Sequence, residues 1–243
     1  MCSSDLGYRL NSWNTFCATY SAAEETGMFR EGVPFITTNT HYGGIKVETP
    51  CEIEDSAHRI EKNDKLVGKI RCYSFYATKN MTTGSGGMFT TNSREVYEKA
   101  RLYWQDGVSS STYQRQQGRG WDYRVKAFAG SYDGNDIAAG IGLEQLKKLP
   151  AFTKARNTQR DRYNQAFGSD WGGNHLYCYF VKSKKEVVSL ISFLQKKGIG
   201  CGYHYPNTGW LGTSLPIYPL LSTKEQDYVI KTVKEWRNYG KKA

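Results

Sequence analysis

Cys72-Tyr-Ser-Phe-Tyr-Ala-Thr-Lys-Asn-Met-Thr-Thr-Gly-Ser-Gly-Gly87 is the stretch on which the reading of this chain turns. Its apolar and aromatic start reads as a strand, and Gly84, Gly86 and Gly87 read as a tight turn. Lys79 lies between them, five residues after Ser74. Upstream, the short run Cys51–Glu54 reads as another strand, and Glu54-Asp55-Ser56-Ala57-His58 follows directly. A strand there would leave Asp55 at a carboxyl end, the end at which open α/β sheets bind ligands. Downstream, Gly86–Thr91 reads as a further strand.

The order of these groups has a chemical meaning. An amine, a hydroxyl and a carboxylate are what pyridoxal phosphate needs, for its aldehyde, its phosphate and its ring nitrogen respectively. A lysine attacks a carbonyl only when unprotonated, and burial or a nearby cation lowers its pKa enough to allow that. The pyridine ring accepts electrons well only when its nitrogen is protonated, and a buried aspartate facing that nitrogen keeps it so. Taken singly, Asp55 also reads as a solvated turn acid and Ser74 as a polar strand residue. The joint order of Asp-x-x-His, a strand, then Ser-x4-Lys carries the site reading.

With 243 residues the chain can bury a core of one large or two modest domains. Aromatic residues at 14% and charged residues at 23% exclude a disordered chain. The net charge of +10 is spread over scattered pairs such as Lys147-Lys148 and Lys196-Lys197, with a denser cluster from Lys182 to Lys185. No basic stripe is interleaved with aromatics, so nucleic acid is not an expected partner. Attraction for anionic substrates such as sugar nucleotides is. Cysteines 2, 17, 51, 72, 178 and 201 show no C-x-x-C pair and no zinc spacing, so no metal site is expected. A reducing cytoplasm suits them. No segment approaches the ~18 apolar residues of a membrane span and no signal peptide is visible, so no membrane partner is expected.

Further elements follow from pattern. Pro34–Asn39 and Lys69–Phe75 read as strands, and Asn92-Ser-Arg-Glu95 reads as a capping box opening a helix to Trp104. Residues 105–120 are polar and glycine-rich and read as a mobile loop. A helix should start near Asn135, with an apolar stripe of Ile137, Ile141, Leu143, Leu146 and Leu149, and end or kink at Pro150. A more polar helix then reaches Phe167, with Gly168 as its stop. The tail reads strand, helix, strand, helix: His175–Val181, a helix capped by Ser183 and ending at Gly198, Ile199–Tyr203, and a helix capped by Thr223 and ending at Gly240. Alternating strands and helices mean α/β layers.

The lysine segment resembles that of the DegT/DnrJ/EryC1/StrS sugar aminotransferases, whose form is close to S-F-Y-x-T-K-N-x-T-T-G-E-G-G. Other blocks resemble the same family in order: Asn14–Ala22, His41-Tyr-Gly-Gly44, Glu54–His58, Ile137–Leu146 and Gly198–Pro206. The resemblance implies an aspartate-aminotransferase-like α/β fold (fold type I), with a partial pyridoxal-phosphate-binding large domain over 7–146 and a small C-terminal α/β domain over 147–243. It implies that Lys79 meets the aldehyde, Asp55 pairs with the pyridine nitrogen, His58 sits beside the cofactor and Ser74 holds the phosphate. Phe16 stands where the family stacks an aromatic on the ring, although core packing explains an aromatic there equally well. His204 and Tyr205 would face the substrate. The implied reaction moves an amino group, with glutamate as donor, to a nucleotide-linked keto sugar, in a homodimer whose active site lies between subunits. Relatives that dehydrate the sugar carry His at position 79, so lysine favours transamination.

Four departures accompany the resemblance. The family's N-terminal part, with its S-G-T-A-A phosphate segment, has no counterpart, and Met1-Cys-Ser-Ser-Asp-Leu6 is expected to be a sequencing-adapter scar. Only Gly43–Pro50 separates the strand near Thr37 from that near Ile53, so the family's intervening helix is lost or the two strands pair antiparallel. Ser85 replaces a Glu, and Asp133 replaces an Asn that reaches a neighbouring subunit's phosphate, where an aspartate would repel it. The stretch from Pro206 to Leu215 is shorter than the family's. The expectation is therefore a shortened member of the family, with a catalytically inactive remnant as the alternative.

Overall fold

The computed structural model describes residues 9–10, 35–36, 38–40, 42–44, 46, 53–110, 116–117, 123–132, 134–169, 172–204 and 211–239. Strands β1 (Arg9–Leu10) and β2 (Phe35–Ile36) pair parallel. A four-stranded sheet follows in the order β3-β4-β5-β6, built from Thr38–Thr40, Ile53–Asp55, Ile70–Ser74 and Gly87–Thr91. The first three strands are parallel and β6 closes the edge antiparallel to β5.

The pairing of β3 with β4 decides between the two expected alternatives. Thr38 lies opposite Ile53 and Thr40 opposite Asp55 in parallel register. The connection holds a 3-10 turn, Tyr42–Gly44, and no α-helix among its described residues. Antiparallel pairing is thus excluded. The β4–β5 crossover, residues 56–69, is likewise irregular. Polar contacts hold it instead of a helix. Glu54, 1% exposed, accepts from the backbone N–H groups of Val67 and Gly68 and from Arg71 Nε at 2.9 Å and Nη2 at 2.6 Å. Arg71 also donates to the carbonyls of Asp64 and Lys65 at 3.1 and 2.6 Å.

Helix α1 (Arg94–Trp104) is capped by Ser93, whose hydroxyl accepts from the Val96 N–H at 3.3 Å, rather than by Asn92. The described part of the expected mobile loop is pinned. Gln105 bridges Ser131 and Val108 bridges Val125, and the Trp104 indole N–H donates to the Tyr132 carbonyl at 2.7 Å. Helix α2 (Asp136–Phe167) starts on Asn135, whose side chain accepts from the Ala138 N–H, and stops at Gly168 with φ 69. It runs through Pro150 as one helix of 32 residues, about 48 Å long. Proline removes one intrahelical bond and crowds the preceding turn. Here Leu149, Arg156, Gln159 and Tyr163 bury one face across the position, and that packing carries the helix on. The apolar stripe before Pro150 behaves differently: Ile137, Ile141, Leu143 and Leu146 are exposed, and Leu149 alone of the five is buried.

The C-terminal sheet has order β7-β9-β8, from Tyr177–Phe180, Gly212–Leu215 and Gly202–Tyr203, all antiparallel. Its central strand, β9, is one that sequence pattern did not mark. Helices α3 (Lys184–Lys196) and α4 (Thr223–Tyr239) pack on it around Tyr163, Tyr177, Leu190, Leu194, Ile199, Leu215, Ile217, Val229 and Val233. Ser183 caps α3 as expected. Ser222, not Thr223, caps α4: its hydroxyl accepts from the Glu225 N–H at 3.2 Å, and Glu225 accepts from the Ser222 N–H at 2.8 Å. Among the described residues no helix is long and apolar enough to cross a membrane.

Candidate active site

Parallel pairing of β3, β4 and β5 brings their carboxyl ends to one edge of the sheet. Asp55 closes β4 opposite Thr40 and Cys72. Its Oδ1 accepts from the Ala57 N–H at 3.0 Å, a local turn that lets the chain leave the strand at once. Strand β5 continues to Ser74, whose hydroxyl accepts from the Tyr76 N–H at 3.3 Å. The β5–β6 hairpin loop then carries Lys79. Phe75 N–H donates to the Gly86 carbonyl at 2.8 Å and Thr83 N–H to the Phe75 carbonyl at 3.0 Å, which closes the base of the loop. Lys79 N–H donates to the Tyr76 carbonyl at 3.0 Å, and Asn80 and Met81 are buried beneath it.

Lys79 is half-buried, and burial pulls its amine below the ordinary lysine pKa, against the opposing pull of the Asp55 carboxylate. The two groups therefore sit close enough for their charges to interact. His58 is 6% exposed and held near pKa 3 by burial, then by the positive charges of Lys79 and His204. Its Nδ1 accepts from the Gly43 N–H at 3.2 Å, so the neutral ring carries its proton on Nε2. His204 is half-buried and lowered by burial and then by Lys79, and its Nδ1 lies 2.8 Å from Ser214 Oγ. Asp55, His58, Lys79 and His204 thus share one electrostatic neighbourhood. Ser74 stands at the same sheet edge. Phe16, Tyr205, His41 and Asp133 lie outside the described residues.

His175 joins this group without having been singled out in the sequence. Its ring lies 4.6 Å from that of His58, centroid to centroid, at 35°. It is 6% exposed, and its pKa falls well below 6.5 through burial first and the charges of His58, Arg156, Lys79 and His204 after it. More than a hundred residues separate the two histidines, and His175 reads in sequence as the start of a strand. No local spacing could have paired them.

The residues offer one group for each of the three handles of pyridoxal phosphate. A half-buried amine with a depressed pKa lies within the field of a strand-end carboxylate. Ser56 Oγ, Asn80 Oδ1 and His175 Nδ1 are buried with no hydrogen-bond partner. Buried polar atoms are normally paired, and the orphans of Asn80, next to Lys79 in the chain, and of His175, within the charge field of Lys79, could receive a polar group. At the third handle, Ser74 offers a hydroxyl.

Comparison with known proteins places the chain. Residues 51–212 match a profile of the DegT/DnrJ/EryC1/StrS aminotransferase family. An uncharacterized protein of Methanocaldococcus jannaschii and the spore coat polysaccharide biosynthesis protein SpsC of Bacillus subtilis are each 31% identical, over 75% of this chain and 59% of their own length. The chain thus spans under two thirds of the curated relatives it matches. The pyridoxal-phosphate form of the putative sugar aminotransferase Spr1654 from Streptococcus pneumoniae superposes with a TM-score of 0.76 at 20% identity, covering 96% of this chain and 81% of that one. The expected aspartate-aminotransferase-like α/β fold is the fold of this chain.

Proposed function

This chain belongs to the DegT/DnrJ/EryC1/StrS aminotransferase family, and from that premise we propose that it transfers an amino group from glutamate to a nucleotide-linked keto sugar with pyridoxal phosphate as cofactor. The observation that carries this reading is a half-buried Lys79 amine, its pKa lowered by burial, within the charge field of Asp55 at the carboxyl end of β4. When bound, the cofactor supplies an electron sink for the substrate carbanion. Lys79 Nζ, its pKa lowered, would take the proton from the α-carbon of the amino donor and deliver it to the cofactor's C4′ carbon, and would run the same transfer in reverse on the keto sugar. The Asp55 carboxylate would keep a proton on the ring nitrogen. Ser74 Oγ would hold the phosphate, and His58 would offer its Nε2–H to the cofactor. By family resemblance Phe16 would serve the ring, and His204 and Tyr205 the sugar. The surplus of positive charge favours an anionic substrate.

A homodimer completes the proposal. Ile137, Ile141, Leu143 and Leu146 are 79, 45, 63 and 54% exposed on one helix, which is apolar surface of the kind that a second subunit covers. Gly142 on that helix approaches Thr83 of the lysine loop, so such a contact would lie beside the site.

Two measurements test the reading. Titration with pyridoxal phosphate should give saturable binding with an absorbance change that Lys79→Ala abolishes. Release of 2-oxoglutarate from glutamate in the presence of a nucleotide-linked keto sugar should fall about 10²–10⁴-fold in Lys79→Ala, the range of a lost general acid–base group. A protein that binds no cofactor is the inactive remnant.

A further inference from the structure

The segment just before β7 packs where the cofactor-side turn is tightest. Gly43 has φ 61, and a Cβ there would stand 2.8 Å from the Leu176 carbonyl oxygen. Gly173 comes so near that its own Cβ would lie 2.1 Å from the Gly43 carbonyl oxygen. That carbonyl accepts two hydrogen bonds, from His175 N–H at 2.7 Å and Leu176 N–H at 3.1 Å. The same peptide turn sends the Gly43 N–H to His58 Nδ1 at 3.2 Å. Arg59 Nη1 fixes the next carbonyl, that of Gly44, at 2.9 Å. The 42–44 turn is therefore held on one side by residues 173–176 and on the other by the loop that carries His58 and Arg59.

The His175 side chain adds a second constraint. Its ring covers His58 at 4.6 Å, and both are buried. Two buried imidazoles with centroids 4.6 Å apart cannot both be charged without strong repulsion. The charged groups acting on the pair, Lys79 and His204 on His58 and also Arg156 on His175, are cationic, so they push the same way.

We propose that His175 is a positioning residue: by packing on His58 and by anchoring Gly43 through its own backbone, it locks His58 as the neutral Nε2–H tautomer, a fixed hydrogen-bond donor and not a base. The proposal deepens the aminotransferase reading, because it leaves Lys79 as the proton carrier at the reacting carbon and gives His58 a holding role. It also gives the C-terminal unit a direct hand in the site.

Nitrogen-15 NMR of the histidine rings tests this without cofactor. In the unaltered protein His58 should show a bare Nδ1 and a protonated Nε2, unchanged between about pH 5 and 8, the window in which an ordinary imidazole titrates. His175→Ala should let His58 titrate inside that window, and His175→Phe, which keeps a ring against it, should restore the silent tautomer. Pyridoxal phosphate affinity should weaken about tenfold in His175→Ala, the scale of one lost buried hydrogen bond. If His175→Ala does not fold, His175→Gln replaces it under the same outcomes. A His58 that titrates normally in the unaltered protein, or stays locked without a ring at 175, overturns the proposal. Failure of the unaltered protein to bind cofactor overturns the aminotransferase reading instead and leaves the tautomer result to stand on its own.

Discussion

The sheet that carries Lys79 and the unit built on β7-β9-β8 are held together by different means. Among the described residues, the buried apolar side chains before Leu149 are Ile53, Met81 and Ala100, whereas Glu54, Ser56, His58, Arg71 and Asn80 are buried polar groups in the same region. The C-terminal unit also buries polar side chains, Thr213, Gln226 and Thr232 among them, but sets them around a larger apolar cluster that includes Leu190, Leu194, Tyr177, Leu215 and Val233, each at most 3% exposed. Apolar packing is non-directional and tolerant, while a buried ionic network is specific in geometry and severe when one member is removed. The half that must aim functional groups is ordered by directional bonds. The other half supplies bulk stability and, through residues 173–176, a buttress.

The sharpest break of this contrast is Glu54→Ala. It strips the buried Arg71 of its bidentate partner and leaves the Asp64 carboxylate at 3.5 Å as its counter-charge, and unfolding by urea should show a loss of about 3–5 kcal/mol. The same change frees the crossover that precedes Lys79, so cofactor binding should fail with it. Next in size is Leu190→Ala in a fully buried position, expected to lose about 2–5 kcal/mol. Hydrogen exchange should then report the largest loss of protection in α3 and β9, with β4–β6 changed less.

Acid should weaken the histidine pair that joins the two regions. Burial holds the His58 pKa at about 3 in the folded chain against the 6.5 of an ordinary imidazole, so the unfolded chain binds a proton that the folded chain refuses. Stability is therefore whole above that ordinary value and declines as pH falls from it towards the folded pKa. His175 adds to the same slope. A plot of urea midpoint against pH should fall through this range, and less steeply in His58→Phe. Smallest is Ser183→Ala, which removes the N-cap of α3 and should cost about 1 kcal/mol with cofactor affinity unchanged.

What could be read from the sequence was what is local. The two strands beside Lys79 came out with ends within a residue of Ile70–Ser74 and Gly87–Thr91, because apolar and aromatic runs mark them and Gly84 and Gly86 stand just before β6. The N-caps of α1 and α4 slipped by one, since Asn92-Ser93 and Ser222-Thr223 each offer two capping side chains and geometry chooses between them. Strand β9 was missed because Gly-Thr-Ser-Leu has no alternation. It is a strand because β7 and β8 pair on both its edges and all four residues are buried. Pro150 did not end the helix because Leu149 just before it and Arg156, Gln159 and Tyr163 after it are buried, and that packing outweighs a breaker's local penalty. The stripe from Ile137 to Leu146 has helical period and yet stays exposed, for periodicity says which side chains share a face and not what covers it. At the site, Asp55, His58, Lys79 and His204 were legible as motif, but His175 arrives only through the fold.

The most direct test is chemical capture at the lysine. The purified protein is incubated with pyridoxal phosphate, reduced with borohydride and mapped by peptide mass. One phosphopyridoxyl group should be found on Lys79, forming at a pH well below that needed by an exposed lysine, whose pKa is about 10.4. Equal labelling of surface lysines such as Lys147, or none at Lys79, would contradict the assignment of the site.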